Sequence, residues 1–151
     1  MEKKKEYKNE AQFQQNCVIW FKNNHLPLKR RLWATMNEGK NATEKLGLGM
    51  TPGVPDLLYY GENERLYGFE LKLPGAEHKV QHLSTQAQWL LDVLPGRAWF
   101  VDSLEAFQHL IETGEVTTGA IDPQKVKDFC ENTSKQKIVW NRDLFVSVTP
   151  V

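Results

Sequence analysis

The sequence predicts an α/β protein with one compact core and a C-terminal accessory segment. Amphipathic helical stretches alternate with short β-prone runs, and clusters of Gly, Pro, Asn and Asp separate them. The chain has 151 residues, of which 40% are hydrophobic and 25% are charged. These values are typical of a single globular domain and exclude a disordered or fibrous chain.

The composition also excludes several functional classes. No apolar run of about 18 residues occurs, so neither a membrane-spanning helix nor a membrane partner is expected. The charged segment Met1–Glu6 is not followed by an apolar stretch, which predicts an intracellular, cytoplasmic protein without a secretory signal. Cys17 and Cys130 lie far apart in the sequence and are interpreted as buried thiols.

Charge is distributed unevenly along the chain, although 19 basic residues balance 19 acidic ones. Residues 1–54 carry eight Lys and two Arg against five Glu, a net +5, so the remaining residues sum to −5. A basic first third suits a phosphate backbone, and an acidic remainder suits metal ions. The alternative is an ordinary surface of mixed charge.

The first predicted element is a helix over residues 9–24, in which Phe13 and Phe21 fall on one apolar arc. Glu10 falls in the middle of that arc, where a carboxylate needs a partner or a metal ion. A favourable interaction with the helix dipole is the alternative explanation. Glu6 lies near the same arc, so either residue is a candidate for an acidic group on this helix.

A hairpin follows a short predicted strand at residues 31–36 and a glycine-rich loop. Its two strands cover residues 56–60 and 66–73, joined by a five-residue loop. Glu70 and Lys72 point to the same face of the second strand. Because Asp56 begins the first strand, we expect it to lie opposite them.

The remaining elements are predicted from turn and capping signals. Ser84 is the predicted N-cap of a helix that ends near Leu94 and carries Gln86 on its apolar arc. We expect Trp33, Trp89 and Trp99 in the core. The other predicted elements are a strand at 98–101, a helix after the capping-box spacing Asp102–Glu105, a helix from Asp122–Pro123 through Cys130, and strands at 138–140 and 144–148.

An Asp followed by Glu-x-Lys across a hairpin suits metal-dependent phosphodiester hydrolysis. Mg²⁺ prefers oxygen ligands, which Asp56, Glu70, the backbone carbonyl of Leu71 and Glu10 would supply. Lys72 would orient or deprotonate the water or stabilise the transition state, and these roles stay open. The spacing alone is loose, and a surface salt bridge is its ordinary alternative.

The wider sequence context favours the catalytic interpretation. Segments Gly49–Leu57, Phe69–Lys72 and Leu83–Gln86 occur in order and closely resemble the VRR-NUC family of PD-(D/E)XK nucleases. The resemblance extends over about Glu10–Ile111. It implies a restriction-endonuclease-like core, in which a central mixed β-sheet is flanked by helices in the order αβββαβ. It also implies cleavage of DNA with Mg²⁺, or Mn²⁺ as a substitute.

The resemblance assigns roles to individual residues. Asp56 and Glu70 match the metal ligands, Lys72 the catalytic lysine, Gln86 the motif glutamine, and Glu10 the helix acid. Small relatives of this kind resemble bacterial and phage nucleases, some acting as dimers on branched DNA. A homodimer and structure-specific cleavage of junction DNA are therefore further expectations. A non-catalytic DNA-binding module and a nuclease acting on RNA are the alternatives.

Other expectations concern the edges of the site and the tail. Residues 1–116 are interpreted as the nuclease-like domain, and residues 117–151 as an accessory segment packed on it or at a dimer interface. Apolar tail residues would serve either arrangement equally well. Candidate nucleic-acid contacts are Lys40, Lys45, Thr51, His78 and Lys79.

Overall fold

A mixed five-stranded sheet forms the centre of the computed structural model, which describes residues 7–35 and 53–146. The helices are α1 Glu10–Asn24, α2 Val80–Val93, α3 Leu104–Thr113 and α4 Pro123–Asn132, with 3₁₀ helices at Leu26–Arg31 and Arg142–Phe145. The strands are β1 Leu32–Ala34, β2 Leu57–Tyr60, β3 Leu66–Leu71, β4 Glu77–Lys79, β5 Ala98–Val101, β6 Ala120–Ile121 and β7 Lys137–Val139. The α/β class with a mixed sheet between helices is thus confirmed.

The sheet has the order β1-β2-β3-β5-β6. Strand β2 is antiparallel to β1 and β3, β3 is parallel to β5, and β5 is antiparallel to β6. The connection from β3 to β5 contains α2, as a parallel pair requires a crossover. Strands β4 and β7 form a separate two-stranded sheet.

Each face of the central sheet packs against two helices. Phe13 and Phe21 of α1 and Phe107 of α3 belong to the core on one face, where all three are fully buried. Leu83 of α2 and Val126 of α4 belong to the core on the other face. Side chains along each strand alternate between the two cores, so a side chain's position in its strand determines which helices it meets.

The starts of α1, α3 and α4 follow the capping signals, that of α3 with a shift of one residue. Asn9 caps α1 and Asp122 caps α4, where the following Pro123 occupies the first helical position. The predicted capping box at Asp102 is displaced by one residue, because Ser103 accepts the hydrogen bond from the Ala106 amide. Asp102 instead binds the C-terminal segment.

The predicted start of α2 at Ser84 is wrong. The helix begins at Val80, and strand β4 occupies the stretch directly before it. Pairing of β4 with β7, more than fifty residues away in sequence, orders this stretch. Ser84 lies inside the helix, and its Oγ accepts a hydrogen bond of 3.0 Å from Lys127 Nζ.

The prediction for residues 31–36 is partly wrong. A 3₁₀ helix ends at Arg31, and the strand itself covers only Leu32–Ala34. Trp33 is 43% exposed, whereas we expected it in the core. Leu32 beside it is buried, because neighbouring residues of a strand face opposite sides of the sheet.

The segment after residue 116 contributes to the same sheet and the same cores. Strand β6 pairs with β5, and Trp140 stacks on Phe100 with ring centroids 5.7 Å apart. The predicted strand at 144–148 is wrong as far as residue 146, because Arg142–Phe145 forms a 3₁₀ helix. Apolar tail side chains divide into buried ones (Ile138, Trp140, Phe145) and exposed ones (Val139, Leu144, Val146).

Asp102 connects this segment to the core. Its Oδ2 accepts hydrogen bonds from Trp140 Nε1 at 3.2 Å and Arg142 Nε at 3.1 Å. Asp102 is 4% exposed, so its charge is neutralised inside the protein by the Arg142 guanidinium. Within the described residues, no helix combines the length and apolarity needed to cross a bilayer.

Candidate functional site

The β2–β3 hairpin brings the two predicted carboxylates together. Leu57 pairs with Phe69, so Asp56 lies across from Glu70 at the end of the ladder. The Asp56 Oδ2 atom accepts a hydrogen bond of 2.8 Å from the Leu71 amide, which fixes the carboxylate against β3. Glu70 is 2% exposed. The hairpin register therefore juxtaposes Asp56 and Glu70 as the sequence predicted.

Lys72 and Gln86 both approach one oxygen of Glu70. Lys72 Nζ lies 3.7 Å from Glu70 Oε1, and Gln86 Nε2 donates to the same atom at 2.9 Å. Lys72 is 2% exposed, which is rare for a lysine. The four residues predicted to be catalytic thus form one cluster between β2, β3 and α2.

Close backbone contact holds α2 against this cluster. A Cβ atom added at Gly53 would lie 2.9 Å from the Thr85 carbonyl oxygen, one residue before Gln86. Gly53 also has φ of +87°, a conformation that favours glycine. The segment leading to Asp56 therefore packs directly on the helix that carries Gln86.

The buried carboxyl pair has an unusual protonation state. Burial and the neighbouring Asp56 raise the pKa of Glu70 well above its ordinary value. Burial also raises the pKa of Asp56, opposed by hydrogen bonds from Glu70 and the Leu71 amide and by the Lys72 charge. Because two adjacent carboxylates resist ionising together, the pair loses its two protons in separate steps.

Glu10 lies beside the cluster on α1. His78 Nε2 is 3.2 Å from Glu10 Oε1, a distance of an ion pair. Burial opposes ionisation of Glu10, but the contact with His78 and the charge of Lys72 outweigh it and lower its pKa. The negative charge of Glu10 in turn raises the pKa values of Asp56 and Glu70. Glu6, the other candidate acid, lies outside the described residues.

His82 is a neighbour of the site that the sequence interpretation missed. It lies on α2 one turn before Gln86, and therefore on the same side of the helix. Desolvation of part of the ring, with a smaller effect of the neighbouring Lys72 and His78, lowers its pKa. The helical spacing of four residues between His82 and Gln86 was the available signal.

Buried polar atoms without a well-directed hydrogen bond occur in the cluster and beside it. Five such side-chain atoms occur in the described parts of the chain, and four of them are Glu10 Oε1, Glu70 Oε2, His78 Nε2 and Gln86 Oε1. Glu10 Oε1 and His78 Nε2 face each other at 3.2 Å, whereas Glu70 Oε2 and Gln86 Oε1 have no partner among the described residues. A buried polar atom without a partner costs free energy, so these two atoms favour a ligand site.

A divalent cation fits the donor set in part. Over residues 7–35 and 53–146, no three His, Cys, Asp or Glu side chains converge on a single metal position. Mg²⁺ is commonly held by only one or two carboxylates and keeps several waters. Asp56, Glu70 and the Leu71 carbonyl meet that requirement, and Glu10 would add charge from α1.

The predicted nucleic-acid contacts have different outcomes. Lys40, Lys45 and Thr51 lie outside the described residues. Lys79 is exposed at the start of α2, where it is free to meet a phosphate. His78 lies on β4 against Glu10, so its imidazole takes part in the site itself.

Comparisons of the whole chain with protein-family models, with curated proteins and with solved structures found no match.

Proposed function

We propose that this protein is a metal-dependent deoxyribonuclease of the PD-(D/E)XK type. The observation that carries the proposal is the buried cluster of Asp56, Glu70, Lys72 and Gln86, in which two carboxylates, an ammonium and an amide meet at one sheet edge. Burying Lys72 and Glu70 is costly for a structural ion pair alone. A bound cation and a bound phosphodiester would give these carboxyl groups and the Lys72 ammonium a catalytic role.

The proposed roles follow from the contacts. Gln86 holds Glu70 Oε1, which leaves Oε2 available as a ligand once the carboxyl loses its proton. The Leu71 amide fixes Asp56 through Oδ2 and leaves Oδ1 available. Lys72 supplies a positive charge where negative charge develops on the phosphoryl group.

A bound Mg²⁺ or Mn²⁺ would neutralise the phosphate and lower the pKa of an attacking water. Ionisation of Glu70 would accompany its binding, because ligation requires the carboxylate form. Glu10 would reinforce the negative potential at this position.

The proposal is tested by cleavage of labelled four-way junction, flap, single-stranded and duplex DNA with Mg²⁺, Mn²⁺ or EDTA. Asp56→Asn and Lys72→Met keep side-chain volume and are expected to lower the rate by ~10²-fold or more. Asp92→Ala, at an exposed carboxylate on α2, is the matched control and should cleave normally.

Full activity of Asp56→Asn would refute the proposed mechanism. DNA binding without cleavage of any substrate, together with no binding of Mn²⁺ in a titration, would favour the non-catalytic DNA-binding module. Cleavage restricted to an RNA strand of the same sequence would identify a ribonuclease instead.

A further inference from the structure

On the sheet face that carries the site, the helices do not cover strands β1 and β2. Leu32, Leu57 and Tyr59 point into the core with α1 and α3. Trp33 and Tyr60 therefore point to the opposite face, where α2 and α4 pack over β3, β5 and β6. Trp33 is 43% exposed and Tyr60 is 39% exposed. Two large aromatic side chains thus lie on the solvent side of β1 and β2.

The strand register places these aromatics in line with Asp56. The Thr35 amide donates to the Asp56 carbonyl at 3.0 Å, Trp33 pairs with Leu58, and Tyr60 follows two residues later on β2. Successive side chains on one face of a strand are about 7 Å apart. Leu58 therefore lies one step from Asp56 with Trp33 beside it on β1, and Tyr60 lies two steps from Asp56.

Basic side chains outnumber acidic ones at the far end of this row, where the hairpin loop adds Glu62 and Glu64. The Arg31 guanidinium lies over the Tyr60 ring, 5.3 Å from its centroid, and donates to the Gly61 carbonyl at 2.9 Å. Lys29 and Arg30, in the same 3₁₀ helix, are exposed. No acidic residue occurs in that helix, whose sequence is Leu-Pro-Leu-Lys-Arg-Arg.

Exposed aromatic rings beside cationic side chains are the surface that single-stranded nucleic acid recognises. Bases of an unpaired strand stack on such rings, and its phosphates are attracted by the lysine and arginine charges. Bases inside a duplex are already stacked and cannot use a flat aromatic surface. The basic surroundings thus favour a nucleic acid over a purely apolar protein partner.

We propose that Trp33 and Tyr60 form a stacking platform for unpaired bases of a DNA strand that leads away from the cleavage site. Lys29, Arg30 and Arg31 neutralise its phosphates. The substrate class is therefore DNA with an unpaired segment beside the cut bond. The platform's position relative to the cut rests on the proposed function, whereas strand binding to it does not.

The test measures binding in EDTA, where no cleavage occurs. A fluorescently labelled single strand is compared with an abasic strand of the same length and with a duplex. The wild-type protein should bind the strand with bases about 5- to 100-fold more tightly than the abasic strand. Trp33→Ala should lose most of that preference, and Trp33→Phe should retain it.

Two controls separate stacking from charge and from folding. Ile19→Ala, at an exposed apolar residue of α1 on the other face of the sheet, should leave the preference unchanged. Arg30→Gln should weaken binding of both strands equally. It should also lower the slope of log affinity against log salt concentration by about one. Thermal unfolding of each variant confirms that it is folded.

Equal affinity for the two strands, or a preference that survives Trp33→Ala, would overturn the inference. So would a dimer in solution that protects Trp33 from quenching, because a second copy would then cover the platform. Base-dependent binding without metal-dependent cleavage would refute the nuclease and leave the platform standing. Cleavage without any base preference would support the nuclease and refute the platform.

Discussion

Replacing Glu70 with glutamine should stabilise the metal-free protein at neutral and alkaline pH. Glu70 is 2% exposed and its pKa is raised by burial and by Asp56. The Glu70→Gln side chain would keep an oxygen that accepts from Gln86 and would lack the ionisable group. Each unit by which a folded pKa exceeds the unfolded one costs ~1.4 kcal/mol once the pH lies above both.

The pH dependence of this gain has a definite sign. In the unfolded chain Glu70 ionises near its ordinary pKa, whereas the folded protein retains the proton to higher pH. At a pH between these two pKa values, folding takes up a proton. Stability therefore falls as pH rises through this window and then levels off. Below the unfolded pKa, Glu70 is protonated in both the folded and the unfolded protein. The Glu70→Gln variant should therefore be no more stable than wild type there.

Urea unfolding of both proteins in EDTA, from pH 4 to pH 9, measures the difference. We expect a gain of ~1 kcal/mol or more at pH 8 that shrinks toward zero near pH 4. For a chain of this size, 1 kcal/mol corresponds to a Tm change of about 2–4 °C. A variant that is less stable than wild type at pH 8, or a gain independent of pH, would refute a raised pKa of Glu70.

Three further predictions concern other parts of the molecule. Gly53→Ala should destabilise the fold by about 1–3 kcal/mol in urea unfolding, because its φ is +87° and a Cβ would approach the Thr85 carbonyl. Asp102→Asn should cost about 2–3 kcal/mol in the same assay, since it removes the charge that pairs with Arg142; an unchanged stability would contradict the buried pair. Cys17, whose pKa is raised by burial, should react with iodoacetamide at pH 8 only after unfolding, as mass spectrometry would show.

Elements with local signals were predicted well from the sequence. Helix α1 has an apolar arc, α4 has an Asp-Pro start, and α3 ends at Gly114 with φ of +74°. The hairpin was equally predictable from the sequence, because its two β-prone runs are joined by a short loop. In each case the information lies within a few residues of the element.

Elements that depend on distant pairing were missed. Strand β4 is polar and only three residues long, and it exists because β7 pairs with it. Strand β6 has two residues and is ordered by β5. Trp33 was placed in the core on hydrophobicity alone, but whether a strand residue is covered depends on where the helices pack.

The candidate site shows the same division. The juxtaposition of Asp56 and Glu70 follows from hairpin register, which the sequence could provide. The contact between Gln86 and Glu70 requires the position of α2 on the sheet, and only the family resemblance suggested it. The approach of His78 to Glu10 depends on β4, which no local pattern predicted.

The pairing of β4 with β7 has a consequence for the order in which the protein becomes competent during translation. Strand β4 lies between Lys72 and Gln86, and its partner Lys137–Val139 leaves the ribosome long after both. Long-range pairing of this kind is slow to form and is absent from a partly made chain. A nascent chain that already contains every residue of the acidic cluster therefore still lacks the partner of β4, the strand that lies between Lys72 and Gln86 in the sequence. The segment between Lys72 and Gln86 reaches its final pairing only after Lys137–Val139 has emerged.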